Sequence, residues 1–255
     1  MKSRKSFYAP VIFCVIALFF AACKTDFNFV SETIKGNGTL ITKEISIEDY
    51  DKIEIVGRVD LNYQQLEENP YFQFTIDENL VEYLDIHVKN RILYIEPVKN
   101  ETGLSTYNLN PTKFIVNTNS KQIRNIDLAG SGTINLVSDI QSDNLDFDIA
   151  GSGKIVSEKS ITIGILTIDL AGSGNIALKG NVETCKIDIA GSGNMISPDL
   201  SVKHLKCDIA GSGKVEIDVT ESIHCDIAGS GTIIYTGNPS SVNQDIAGSG
   251  KLIKK

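Results

Sequence analysis

The chain has 255 residues, 42% of them hydrophobic, with no Trp and an aromatic content of 7%. That is enough apolar material for an extended core filled mainly by aliphatic side chains. A formal net charge of −8 argues against a nucleic-acid partner, which a basic surface would be needed to hold.

Lys2, Arg4 and Lys5 precede an apolar run from about Phe7 to Phe20, and Phe20-Ala21-Ala22-Cys23 follows. The run is shorter than the ~20 residues of a membrane span. With its basic start and small-residue end it reads as a secretory signal. Small residues directly ahead of a Cys resemble the lipobox of bacterial lipoproteins, although Phe20 stands where Leu is usual. Residues 1–22 are therefore expected to be removed as a signal peptide and Cys23 to be lipidated. Loss of three basic residues would move the formal charge from −8 to −11. Several acyl chains anchor firmly, so the mature chain is expected to be tethered to the cell envelope rather than to span it. Lys24 after the Cys, in place of Asp, favours the outer membrane, on its periplasmic or its surface-exposed face. Residues 23–35 read as a polar tether.

Residues 36–108 alternate strand-like runs with turn residues: Thr39 to Ile47, Lys52 to Tyr63, Tyr71 to Ile76 and Leu84 to Ile95. Ile53-Glu54-Ile55-Val56-Gly57 reads as a degenerate copy of the repeat that follows, with Glu in the place of Asp and the Ser-Gly omitted. The region is either a divergent extension of that repeat or a β layer closing its open end, since stacked repeats need caps.

From 109 to 255 the chain repeats. Seven copies of Asp-(Leu/Ile)-Ala-Gly-Ser-Gly begin at Asp127, Asp148, Asp169, Asp188, Asp208, Asp226 and Asp245, at intervals of 18 to 21 residues. A unit of about 20 residues cannot bury a hydrophobic face alone, so copies must stack around one continuous core. Apolar residues such as Ile168 and Leu170 flank every Asp but Asp245, which follows Gln244, and this period of two marks a half-buried strand with the Asp outward. The pattern resumes seven positions after the Asp with Ile134, Ile155, Ile176, Met195, Val215, Ile233 and Leu252. Each unit thus reads as strand, glycine corner, strand and a more variable return. No segment sustains a period of 3.6. The expected fold is all-β, a parallel β-helix, right-handed by the usual rule for crossovers, with about 20 residues per coil.

Stacked in register, the seven carboxylates would lie roughly 5 Å apart, a repulsion of about 1 kcal/mol per pair in water. Amides of the glycine corner offer an offset, because an Asx-type turn gives a charge-assisted bond worth roughly 1.5–3 kcal/mol. On this reading the aspartates are structural turn residues, and Asp188→Ala lowers stability by about 1–2 kcal/mol, as the loss of a cap does. Calcium held by the column is the competing reading.

Cys14 lies in the signal, and Cys185, Cys207 and Cys225 fall at inward positions of the repeats. Cys207 and Cys225 share a column in consecutive coils, close enough for a disulfide, yet parallel side chains point the same way and buried thiols pack well. Free thiols are expected. No CxxC or His pair suggests a metal site, and no cofactor is implied. His204, His224 and Lys206 could share a neighbourhood, but solvated surface residues are the expectation. Parallel β-helices that cleave acidic polysaccharides with Ca²⁺ make an enzyme a fair competitor. A catalytic site needs one unique constellation, however, and the acids here recur in every coil. No catalytic residue is assigned.

The opening Tyr50-Asp51-Lys52-Ile53-Glu54-Ile55-Val56-Gly57, the middle Asn90-Arg91-Ile92-Leu93-Tyr94-Ile95 and turns such as Asp127 to Gly132 resemble a bacterial family. It is known as the "putative auto-transporter adhesin, head GIN domain" family, and the likeness runs from roughly Tyr50 to Ile234. The resemblance implies an exported lipoprotein with a β-helical build, and carries no catalytic residues with it. The expected function is adhesin-like, non-catalytic binding or presentation of a surface patch to an envelope protein or glycan. A Ca²⁺-dependent polysaccharide lyase or hydrolase and a periplasmic scaffold or sensor component are the alternatives.

Overall fold

A computed structural model describes residues 32–99 and 107–255. The signal, Cys23 and most of the tether lie outside the described residues. The remainder is a parallel β-solenoid of about 6 turns, with successive turns about 20 residues apart.

One coil shows how the repeat closes. The strand Ile140–Gly151 runs beside Ile161–Gly172, first as Ile140↔Ile161 to Ser142↔Ile163, then as Asn144↔Ile165 to Gly151↔Gly172. The gap between the two runs, at Asp143 and Gly164, is a corner. A second corner follows at Ser152-Gly153, and Lys154–Ser157 then pairs with Asn175–Ala177. Three strand stretches per coil therefore stack into three sheets around one interior. The expected parity holds: Ile126, Phe147, Ile168 and Ile187, each just before its Asp, are all at most 1% exposed. Burying one such aliphatic side chain contributes roughly 1.5–3 kcal/mol, so every coil adds stability only when its neighbour covers it.

The first half of the chain supplies both a coil and a cap. Lys52–Gly57 lies parallel to Asn125–Gly130 with Glu54 opposite Asp127, and Asp60–Gln65 lies parallel to Thr133–Leu136. The next residues then build over that coil. Ile92–Pro97 adds in parallel to Lys52–Gly57, and Leu84–Lys89 turns back antiparallel to it. On the second sheet Phe114–Ser120 adds in parallel to Asp60–Gln65, with Phe72–Asp77 antiparallel beyond and Leu40–Ile45 antiparallel again. Reversal of strand direction ends the coiling. Aromatic rings fill this end: Phe72 packs at 6.2 Å from Phe74, which meets Phe114 edge-on at 6.5 Å. The aliphatic filling expected from composition belongs to the repeats, and the rings gather where the coil cross-section is closed.

A chain of carboxamides fastens cap to solenoid. Asn135 Nδ2 donates to Asn62 Oδ1 at 2.9 Å, Asn62 Nδ2 to Asn117 Oδ1 at 2.8 Å and Asn117 Nδ2 to Gln73 Oε1 at 3.4 Å.

Candidate binding surfaces

The first sheet carries the aspartates. Asp127, Asp148, Asp169, Asp188, Asp208, Asp226 and Asp245 are direct neighbours from coil to coil. All point outward, and all are half-buried or exposed. Glu54 and then Tyr94 continue the column into the cap, where the Tyr94 ring stacks on His87 at 4.9 Å. On one side runs a column of alanines and on the other a mixed column that includes Asn125, Lys186, Lys206 and His224.

The corner amides do not cap the aspartates. Ser152, Ser173, Ser192 and Ser212 donate their N–H to Gly130, Gly151, Gly172 and Gly191 of the preceding coil, at 2.8–3.0 Å. Lys154 and Asn175 likewise donate theirs to Gly132 and Gly153. The intercoil ladder takes these donors because stacking brings a carbonyl over each of them. The carboxylates find side chains instead. Asn125 Nδ2 bridges Asp127 Oδ1 and Asp148 Oδ2, both at 3.0 Å, and Lys206 Nζ reaches Asp208 at 2.6 Å. His224 Nε2 lies 3.8 Å from Asp226.

Burial and crowding along the column still raise carboxyl groups, even where one of these partners is present. Burial, then the charges of Asp148 and Asp188, push the Asp169 carboxyl up to about 6 from 3.8. Burial and Asp148 push Asp127 up to about 6 as well. A carboxyl raised on folding binds more protons folded than unfolded between these values, so its part in stability is fully present below 3.8 and is lost as pH rises through about 6. Asp169→Asn should therefore raise stability at pH 7. Asp169 is more than a third exposed, and after discounting for solvent screening the gain is about 1 kcal/mol. Urea melts of both proteins check this, and the gain should vanish near pH 3.5. A loss at pH 7 would restore the capping reading. Among the described residues no group of three or more His, Cys, Asp or Glu side chains is arranged to hold a metal.

The other singled-out residues are dispersed. His204 Nδ1 meets Ser222 Oγ at 2.9 Å, with Nε2 3.5 Å from Glu221, while His224 lies in the neighbouring column beside Lys206. Cys185, Cys207 and Cys225 are buried free thiols. Burial pushes Cys185 up to about 12 and Cys225 up to about 11, which leaves the reactive thiolate form unfavourable.

A concave surface lies along the first corner, in the segment that reads only as a variable return. It is a groove of about 950 Å³ whose lining extends from Gln65 to Thr220 across successive coils. Gln141, Thr162, Asn181 and Ser201 form one column of it. Each stands seven positions before an Asp, an offset at which polar residues recur in the sequence. That offset was the signal available.

The sequence family described as "Putative auto-transporter adhesin, head GIN domain" matches residues 49–239. The chain is similar to the crystal structure of a "Putative lipid binding protein" from Parabacteroides distasonis, 33% identical, TM-score 0.75, covering 88% of this chain and 100% of that one. It is also similar to a "putative adhesin" from Parabacteroides merdae, 29% identical, TM-score 0.68, with 88% and 99% covered. A further "putative adhesin" from Parabacteroides distasonis is 28% identical, TM-score 0.70, with 88% and 100% covered. No curated protein matches.

Proposed function

Because the chain belongs to the "Putative auto-transporter adhesin, head GIN domain" family, we propose that it is a lipid-anchored, non-catalytic solenoid of the cell envelope, working by adhesin-like binding. The observation that carries this is sameness from coil to coil. The aspartates occupy equivalent positions in seven successive strands, whereas chemistry needs a single place where acid, base and substrate meet. A rigid rod with long ordered faces suits presentation. The "lipid binding" in one relative's name fits an acyl anchor better than an internal lipid site, since the interior columns are filled by buried side chains.

Cys23 is the anchor in this proposal, thioether-linked to lipid after removal of residues 1–22. Cells fed a clickable palmitate analogue should label the wild-type protein, and Cys23→Ala should abolish the label and release the protein from the membrane fraction. Unchanged labelling in Cys23→Ala would reject the anchor. Protease treatment of intact cells then separates display from scaffolding. A displayed adhesin is cut, while a periplasmic component survives.

A further inference from the structure

Resting on the adhesin-like reading, the geometry points to a binding site for a neutral linear glycan in the groove that runs from Gln65 to Thr220 along the first corner.

Length comes first. The lining draws on six stacked coils, which at a strand spacing of about 4.8 Å gives a trough on the order of 24 Å long. It lies parallel to the rod axis and across the strands. A linear polymer fits that shape, and a compact small molecule would leave most of it uncovered.

Hydrogen-bonding capacity comes second. The side chains of Gln141, Asn144, Thr162 and Asn181 line the groove and have no hydrogen-bond partner among the described residues. The neighbouring polar groups are engaged: Gln65 Nε2 donates to the carbonyls of Lys121 and Gln141, and Ser201 Oγ donates to Asp218 at 2.9 Å. The unengaged groups recur from coil to coil. Carboxamides and hydroxyls both donate and accept, as sugar hydroxyls do.

Charge comes third. Glu67, Asp143 and Glu183 are balanced by Lys121, Arg124 and Lys203, and Lys203 already pairs with Glu183 at 3.0 Å. The chain as a whole carries −8, so this balanced strip is a departure from its surroundings and does not select a charged polymer. An extended peptide is the other linear candidate. Peptides bind sheets chiefly through an open strand edge, and here the backbone groups on both sides of the corner are consumed by intercoil pairing. Side-chain recognition of hydroxyls is what remains.

The test titrates full-length protein in detergent with cellohexaose, xylohexaose, mannohexaose and chitohexaose, and with a hexamer of galacturonate as the charged control. At least one neutral hexasaccharide should bind. The double variant Thr162→Val/Asn181→Leu should weaken that binding roughly tenfold through the loss of two hydrogen bonds, with an unchanged thermal midpoint. Gln141→Ala supplies a second groove variant should the double variant fold poorly, and Asp188→Asn on the aspartate face should leave affinity as it was. Failure of all four neutral sugars, binding of galacturonate alone, or equal binding by the groove variants would overturn the proposal. Adherence of cells bearing the protein tests the parent reading separately. If wild-type and groove-variant cells adhere equally well, the groove is wrong and the adhesin reading stands. If wild-type cells adhere no better than cells lacking the protein, the adhesin reading falls, while the sugar titration still decides the groove.

Discussion

Gly172→Ala is expected to lower stability by about 3–5 kcal/mol, while Gly57→Ala lowers it by only about 1 kcal/mol. Both glycines hold positive φ, +127° at Gly172 and +114° at Gly57. Both substitutions therefore meet the same backbone penalty, since L residues resist that conformation. They differ in what lies over them. A Cβ on Gly172 would strike the Gly151 carbonyl oxygen of the preceding coil, whereas a Cβ on Gly57 has nothing within 4 Å. Gly57 has no corner stacked on its outer side, so it reports the dihedral cost alone. The difference between the two variants measures how tightly the corners pile. Urea unfolding of each variant checks the pair, and equal losses would mean that the glycines serve only the turn.

The same corner shows what a sequence can disclose. The apolar residues on either side of all but the last Asp are adjacent and periodic, and periodicity of two determines which way a strand faces. The length of the coil, the outward aspartates and the degenerate copy at Glu54 were thus legible, and Glu54 stands opposite Asp127. The destination of the corner amides was not. An Asp four residues ahead of a Ser suggests a local turn, but the Ser173 N–H goes to Gly151 because the coil, once closed, lays a carbonyl directly over it. That competition is decided by a contact between residues 22 positions apart in sequence, and no local pattern records it. The cap was half legible for a similar reason. Its strands are individually plain, yet Phe72–Asp77 and Phe114–Ser120 pair across a long insertion, and nothing in either run names the other. The groove escaped because its polar residues lie in the least regular third of the repeat, where only alignment on the following Asp brings Gln141, Thr162 and Asn181 into one column.

Asp77→Asn is expected to loosen the cap at a cost of about 3 kcal/mol, despite preserving shape almost atom for atom. Asp77 is fully buried. Its Oδ1 accepts from the Gly38 N–H at 2.7 Å and from Thr112 Oγ1 at 2.7 Å, while Oδ2 accepts from the Thr112 N–H at 2.8 Å. One carboxylate thereby ties together three distant segments, and Gly36 must lack a Cβ because that atom would collide with the same carboxylate. Asparagine offers only one oxygen. Whichever way its amide turns, an NH₂ faces a donor, and a buried donor left without an acceptor carries its full desolvation penalty. Burial alone would raise this carboxyl, but the bonds from Thr112, Gly38 and Lys113 outweigh it and hold the group below its ordinary 3.8. A carboxyl depressed on folding contributes stability that is present above its unfolded value and is lost as pH falls through the folded one. Stability held by Asp77 is therefore lost on the acid side, below about pH 4, whereas that of Asp127 and Asp169, raised from 3.8 to about 6, is lost as pH rises from the first of these values through the second. Wild-type stability should peak where the two limbs meet, near pH 4, and Asp77→Asn should remove part of the acid limb while leaving the upper one intact. Urea midpoints across pH 2.5–8 test the shape, and amide exchange in Phe72–Asp77 tests the location. A variant that keeps the wild-type acid limb, or loses less than about 0.5 kcal/mol, would show that the cap is held by its aromatic packing and not by this carboxylate.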